Sequence, residues 1–439
     1  MENALDNPNT VPKSKKSMKK QKTTWKHKQD YDGNDETQGK KPKVDGEQDW
    51  PFRKKKVALL LVYSGKGYLG MQRNPGFRTI ESELFDALLK AGVVRPDHIE
   101  EPRSKMSFQR AARTDKGVSA AGQVVSFKMF VDVEDAVGKI NSHLPAQIHV
   151  LGIKRTTKTF DCKNSCTART YTYLTPSFAF APMNETVCES YRITKDVLTH
   201  LQDILNCFCG THNFHNFTSG KKSGDASAQR YIMEFKVGDP FIRDDIEYVK
   251  LTVKGQSFML HQIRKMTGIA MAICRSFVNM DILKKSWGAD KVDIPKAPGL
   301  GLVLDQLHYN AYNKKFGTDG MHEAIEWSQY KEEIEEFKEN FIYSTIFQTE
   351  KEEKSMMKWL GTLHLHHFDY ITGHLYNTLP LVEAKNNLKE PCNNGPQTVE
   401  PDEKKQKTNA NLNLGDESSA ILEKTERSID TSLSTDKGS

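Results

Sequence analysis

The chain is short of the features that mark secreted, membrane or nucleotide-driven proteins. Its seven cysteines are odd in number and follow no regular framework, so free thiols in a reducing compartment are expected rather than a disulfide scaffold. No apolar run approaches the roughly 20 residues that span a bilayer, and no membrane association is expected. The N-terminus has no apolar segment of the secretory kind. Arginine is missing ahead of Arg53 while Glu2 and Asp6 come early, unlike an Arg-rich, acid-poor mitochondrial presequence. Met18, followed by a basic stretch, leaves room for an alternative start and a mitochondrial or cytoplasmic pool. There is no Gly-x4-Gly-Lys-Ser/Thr phosphate loop, Gly-x-Ser-x-Gly elbow or His-Glu-x-x-His pair. Gly65-Lys-Gly67 is too short for a dinucleotide fingerprint.

Apolar residues are also scarce, at 37% against a usual share of roughly 45–50%. The deficit lies in the ends. Residues 1–55 and 376–439 are rich in Lys, Glu, Asp, Asn, Ser and Thr. Such segments bury too little to offset the entropy of ordering, and disorder is expected there. The first end carries Lys13, Lys15, Lys16, Lys19, Lys20 and Lys22. This cluster reads as a nuclear import signal or an RNA-contacting arm, with a plain solvated tail as the bland alternative. The formal net charge of +6 fits a polyanionic partner without identifying one.

Between the ends the pattern is globular. Residues 56–63 form a continuous apolar run that reads as a buried strand. Thr79 is placed to cap a helix to about Ala91, with Leu84, Leu88 and Leu89 on one face. Residues 122–130 and 148–155 read as strands and 132–143 as a helix. A second round follows, with strands at 168–174, 230–237, 248–253 and 302–309, and helices at 193–208 and 258–277. Two rounds of strands with interspersed helices predict an α+β protein with two similar halves, 56–160 and 161–312. Residues 313–375 read as a helical extension on the outside of that body, with Trp327, Ile334, Phe337 and Leu360 available for packing.

Three segments draw attention. Asp115, two residues ahead of Gly117, has the ordinary look of a turn cap. In a strand, Tyr171 and Tyr173 share a face, which either stacks on nucleic-acid bases, worth about 1–3 kcal/mol each, or fills a core. Arg264 interrupts an apolar helix, so it either snorkels to solvent or meets a carboxylate, to which it offers a bidentate fork. Cys207, Cys209, His212 and His215 crowd together without the longer loop that separates paired zinc ligands. No metal is expected there, and the two cysteines are expected to end the preceding helix. His364, His366 and His367 show no partners in the sequence.

Taken in order, Tyr63-Ser-Gly65, Tyr68-Leu-Gly-Met-Gln-Arg73, Arg113-Thr-Asp115, Ala168-Arg-Thr-Tyr171, Asn213-Phe214, His261-Gln-Ile-Arg264 and Ala297-Pro-Gly-Leu-Gly-Leu302 resemble the TruA family of tRNA pseudouridine synthases. The likeness covers about residues 56–310. The stretches 108–123 and 210–218 look like the eukaryotic pseudouridylate synthase 1 branch of that family. The resemblance implies the pseudouridine synthase fold: two ferredoxin-like or RRM-like halves sharing one continuous, mixed but mainly antiparallel sheet, with a central cleft and added C-terminal helices. It implies an isomerase that needs no cofactor and acts on tRNA, in the anticodon stem region, with mRNA and other structured RNA as further targets. By this analogy Asp115 matches the catalytic nucleophile, Tyr171 the active-site tyrosine and Arg264 the arginine paired with the aspartate. Arg113 matches a residue that helps extract the base, and Leu300 one that packs against it. The branch implies a monomer. The competing reading is a catalytically weak RNA-binding protein or tRNA chaperone of the same fold.

Overall fold

The apolar run at residues 56–63 is strand β1 (Lys54–Tyr63), buried from Lys56 onward. Only a strand in the interior of a sheet covered on both faces carries so unbroken an apolar run. The computed structural model describes residues 53–368. The lysine cluster at 13–22 and most of the expected disordered ends lie outside the described residues. β1 begins at Lys54, just inside the segment assigned to the N-terminal tail.

The other strands are β2 (Gln109–Arg110), β3 (Ser119–Phe130), β4 (Ile148–Arg155), β5 (Ala168–Pro176), β6 (Gly210–Asn213), β7 (Gln229–Val237), β8 (Phe241–Arg243), β9 (Ile246–Gly255) and β10 (Leu302–His308). All ten belong to one sheet, with the order β4-β1-β3-β10-β5-β9-β7-β6, β2 added beside β3 and β8 beside β9. Every pairing is antiparallel except one: β10 runs parallel to β3, through Val303↔Ser119 and Leu304↔Ala120 alone. This short seam joins the first round of strands to the second. Backbones come very close there. A Cβ on Gly122 would stand 2.3 Å from the Asp305 carbonyl oxygen, so glycine is required at that point of β3.

Helices flank the sheet. Ile80–Lys90 begins as the sequence indicated, with the Thr79 hydroxyl accepting from the Ser82 amide in a reciprocal capping box. Lys195–Asn206 is capped by Thr194, and Cys207 is its C-cap. The helix expected over 132–143 is confined to Ala136–Asn141. The helix expected over 258–277 is also shorter, Gln262–Cys274. His261 has φ 62 and Ser276 φ 59, and left-handed residues end a right-handed helix on either side.

Beyond β10, helices Asn310–Phe316, Lys331–Phe337, Ser344–Glu353 and Ser355–Leu360, with a π-helical turn at Lys338–Tyr343, form the extension. It crosses the sheet. Gly152 of β4 leaves room for Tyr330, whose hydroxyl would lie 2.5 Å from a Cβ placed there. The buried Lys338 ammonium meets Asp305 of β10 at 3.4 Å, and the Phe347 ring packs on Tyr248 of β9 with centroids 4.8 Å apart. The extension therefore touches strands on both sides of the seam.

Candidate active site

The residues singled out in the sequence gather around the seam through strand register. Tyr171 of β5 is paired with Leu304 of β10, which is paired with Ala120 at the start of β3. The loop Arg113–Val118 leads directly into that end of β3, so Asp115 and Tyr171 are brought near one another by the sheet.

The loop is held tightly. The Met71 amide donates to the Thr114 carbonyl at 3.2 Å, Gly117 N–H to the Tyr68 carbonyl at 3.2 Å, and Val118 N–H to the Asp115 carbonyl at 3.1 Å. Gly70 has φ +92, and a Cβ there would lie 2.8 Å from the Thr114 carbonyl oxygen. Beneath the loop the Tyr63 and Thr114 hydroxyls are 2.8 Å apart. The fully buried Gln123 amide donates to the Ala112 carbonyl at 3.0 Å and accepts from the Ala112 N–H at 3.2 Å. Burial pushes the Tyr63 phenol up to about 12 against the lowering influence of its Thr114 and Gln123 hydrogen bonds, so it remains a neutral strut. Arg169 of β5 adds a tie from the second round of strands. Its guanidinium donates to the carbonyls of Ala111 at 3.2 Å and Gln256 at 2.8 Å.

Asp115 stays partly open, with 24% of its side chain exposed. From the helix Gln262–Cys274, Arg264 approaches it with Nη1 3.8 Å from Oδ2. The bidentate fork expected of this pair is absent, because the Arg264 Nε already donates to the Ala297 carbonyl at 2.7 Å. That bond sets the direction in which Arg264 points, and the guanidinium lies beside Gly299, where an added Cβ would stand 3.5 Å from it. Burial lowers the Arg264 pKa, opposed by Tyr173 and Asp115; guanidinium remains the charged form. His261 also faces Asp115, with Nε2 3.6 Å from Oδ2.

Tyr171 and Tyr173 are both buried, at 8% and 1% exposure. Tyr173 serves the core and donates its hydroxyl to the Pro298 carbonyl at 2.8 Å. Tyr171 packs edge-on against Phe258 with centroids 5.3 Å apart, and burial raises its pKa well above that of free tyrosine. Among the described residues its hydroxyl has no hydrogen-bond partner. Arg113 is exposed on the Asp115 loop. Leu300 is half-buried and lines a small cavity with Tyr173, Pro298, Ile346 and Met356, so its surroundings include the C-terminal helices. The structure brings Asp115, Arg264 and His261 into one cluster, with Tyr171 close by in register and Arg113 and Leu300 at its margins.

The histidine-rich segments are engaged elsewhere. His212 stacks on Trp287 at 4.6 Å between centroids, and among the described residues no group of three or more His, Cys, Asp or Glu is placed to hold a metal. Contrary to the expectation that the late histidines lack partners, His366 Nδ1 lies 2.9 Å from Asp293 Oδ2. The sequence reading gave no role to Tyr63, Gln123, Arg169 or His261. Tyr63 meets Thr114 across 51 residues of chain and Gln123 across 60, Arg169 meets Ala111 across 58 and Gln256 across 87, and His261 reaches back from the second round of strands to Asp115 in the first, so only the motif His261-Gln-Ile-Arg264 carried a visible hint.

Known proteins match this chain in sequence. Residues 204–310 match the tRNA pseudouridine synthase family. The pseudouridylate synthase 1 homolog of Mus musculus is 52% identical over 330 residues, covering 74% of this chain and 78% of that protein. Its Homo sapiens counterpart is 53% identical over 316 residues, covering 71% and 74%. The tRNA pseudouridine synthase 1 of Yarrowia lipolytica is 35% identical over 380 residues, covering 68% and 72%.

Proposed function

Because the chain belongs to the TruA family of tRNA pseudouridine synthases, we propose that Asp115 is the nucleophile with which it converts uridine to pseudouridine. The enzyme is an isomerase acting on tRNA. In that reaction the N1–C1′ bond breaks, the base turns, the C5–C1′ bond forms, C5 loses its hydrogen and N1 gains a proton. Substrate and product have the same atoms and oxidation level, so the balance calls for no redox or energy donor.

The observation that carries the assignment is the approach of Arg264 to Asp115 across 3.8 Å. The guanidinium places a fixed positive charge beside the carboxylate that attacks, and the part of Asp115 that stays open leaves it room to meet a nucleotide. Tyr171, with its free hydroxyl, stacks on the target uracil and takes part in the closing proton transfers. Arg113 fills the place of the extracted base and holds phosphate, offsetting an unstacking cost of a few kcal/mol. Leu300 packs against the base. The substrates in this reading are uridines of the tRNA anticodon stem, with mRNA and other structured RNA as further targets. The enzyme works as a monomer in the nucleus.

The test is tritium release from tRNA transcripts labelled at uridine C5. Wild type releases tritium and Asp115→Ala does not. Equal release by the two proteins would remove Asp115 from the reaction, and tight tRNA binding without release by wild type would remove the activity itself.

A further inference from the structure

Two side chains from one helix start approach the same carboxylate oxygen of Asp115. Arg264 Nη1 is 3.8 Å from Oδ2 and His261 Nε2 is 3.6 Å from the same Oδ2. We propose that His261 is a positioning residue for Asp115: with Arg264 it engages Oδ2 and leaves Oδ1 as the oxygen presented to the nucleotide. This rests on Asp115 being the reacting carboxylate.

The backbone supports a specific aim for the imidazole. His261 has φ 62 and ψ 1 at the N-cap of the helix Gln262–Cys274. A non-glycine residue in that region is strained and persists where its surroundings over-determine it, commonly at functional sites. The imidazole does no capping, since it makes no hydrogen bond to its own helix. The local bond is made instead by Gln262, whose Oε1 accepts from the Met259 N–H at 2.9 Å. The ring is thus spare for Asp115.

Its charge state suits a donor that orients without neutralising. Burial lowers the His261 pKa, Asp115 from the loop ahead of β3 opposes that, and Lys296, Arg264 and Lys265 add to it. At neutral pH the ring is neutral, and the tautomer with its proton on Nε2 directs an N–H towards Oδ2. A second full cation on Oδ2 would draw charge out of the carboxylate. A neutral N–H turns it and leaves Oδ1 nucleophilic.

The experiment compares wild type, His261→Ala, His261→Gln and Asp115→Asn in single-turnover tritium release from C5-labelled tRNA, with tRNA affinity measured in parallel. Glutamine can offer its side-chain N–H in place of Nε2. His261→Ala is expected to slow the step by about tenfold or more with tRNA Kd changed by less than about threefold, and His261→Gln to recover most of the rate. A wild-type rate in His261→Ala, or a Gln variant as slow as the Ala variant, overturns the role of His261. If Asp115→Asn keeps the wild-type rate, the assignment of Asp115 itself has failed. Unchanged thermal melting of the Gln variant separates loss of orientation from loss of fold.

Discussion

Arg264 stands beside Asp115 with Nη1 3.8 Å from Oδ2, beyond hydrogen-bond reach, while its Nε is committed to the Ala297 carbonyl. The pair is therefore an electrostatic contact set at a chosen distance. At about 4 Å and an effective dielectric of about 20 the attraction is on the order of 4 kcal/mol before desolvation. Arg264→Leu is expected to lower kcat by about a hundredfold or more while tRNA Kd changes by less than about threefold. Filter binding beside single-turnover release measures both. Equal losses in the two would make Arg264 an RNA contact instead.

Tyr171 keeps its ring against Phe258, and among the described residues its hydroxyl has no hydrogen-bond partner. Tyr171→Phe removes only the hydroxyl. It is expected to preserve tRNA affinity and slow product formation by about a hundredfold or more, the range of general acid–base participation. Full turnover in the variant would leave the ring a stacking role alone.

Gly122 lies where β3 and β10 crowd. Gly122→Ala would place a methyl group 2.3 Å from the backbone oxygen of Asp305, and no rotamer relieves a clash with backbone. The variant is expected to lose about 2–4 kcal/mol of stability. Because the displaced strands carry Ala120 and Leu304 beneath the site, activity at moderate temperature should fall as well. Melting and release assays on the same preparation check this, and an unchanged melting temperature would refute it.

Lys56 is buried on β1, and its ammonium donates to the Ser107 carbonyl at 2.7 Å. Burial lowers its pKa from 10.5 to about 8, with Cys162 and Asp161 opposing. Between those values the unfolded chain holds a proton that the folded chain has released, so stability contributed by this group rises with pH. Below about 8 the charged form is carried into the fold and the contribution is least. Relative to Lys56→Met, wild type is expected to gain on the order of 2 kcal/mol between pH 8 and 10. Chemical denaturation of both proteins across that range measures the difference, and parallel curves would contradict it.

Where local pattern determines structure, the sequence was readable. β1 declares itself because a strand covered on both faces is apolar throughout, and Thr79 declares a helix start because a hydroxyl must meet orphan amides. The early end of the helix at His261 was hidden, since its left-handed backbone is imposed by surroundings and breaks no propensity rule. Arg264 could be read as wanting a carboxylate, while the tie of its Nε depends on Ala297, brought in from after the helix. The Tyr63–Thr114–Gln123 group was invisible for a similar reason. Three polar residues meet only once β1 pairs with β3, and register over such separations has no local signature.

Among the described residues the extension touches β4, β10 and β9, yet supplies none of the side chains that meet the Asp115 carboxylate. The reactive residues and their brace therefore occupy different stretches of the gene. A reading-frame lesion just beyond the codon for Tyr330 would spare every group that meets Asp115 and remove Lys338 from Asp305 and Phe347 from Tyr248. Its product would carry a complete reactive cluster on an unbraced seam, a defect of assembly that inspection of the catalytic motifs alone would pass as healthy.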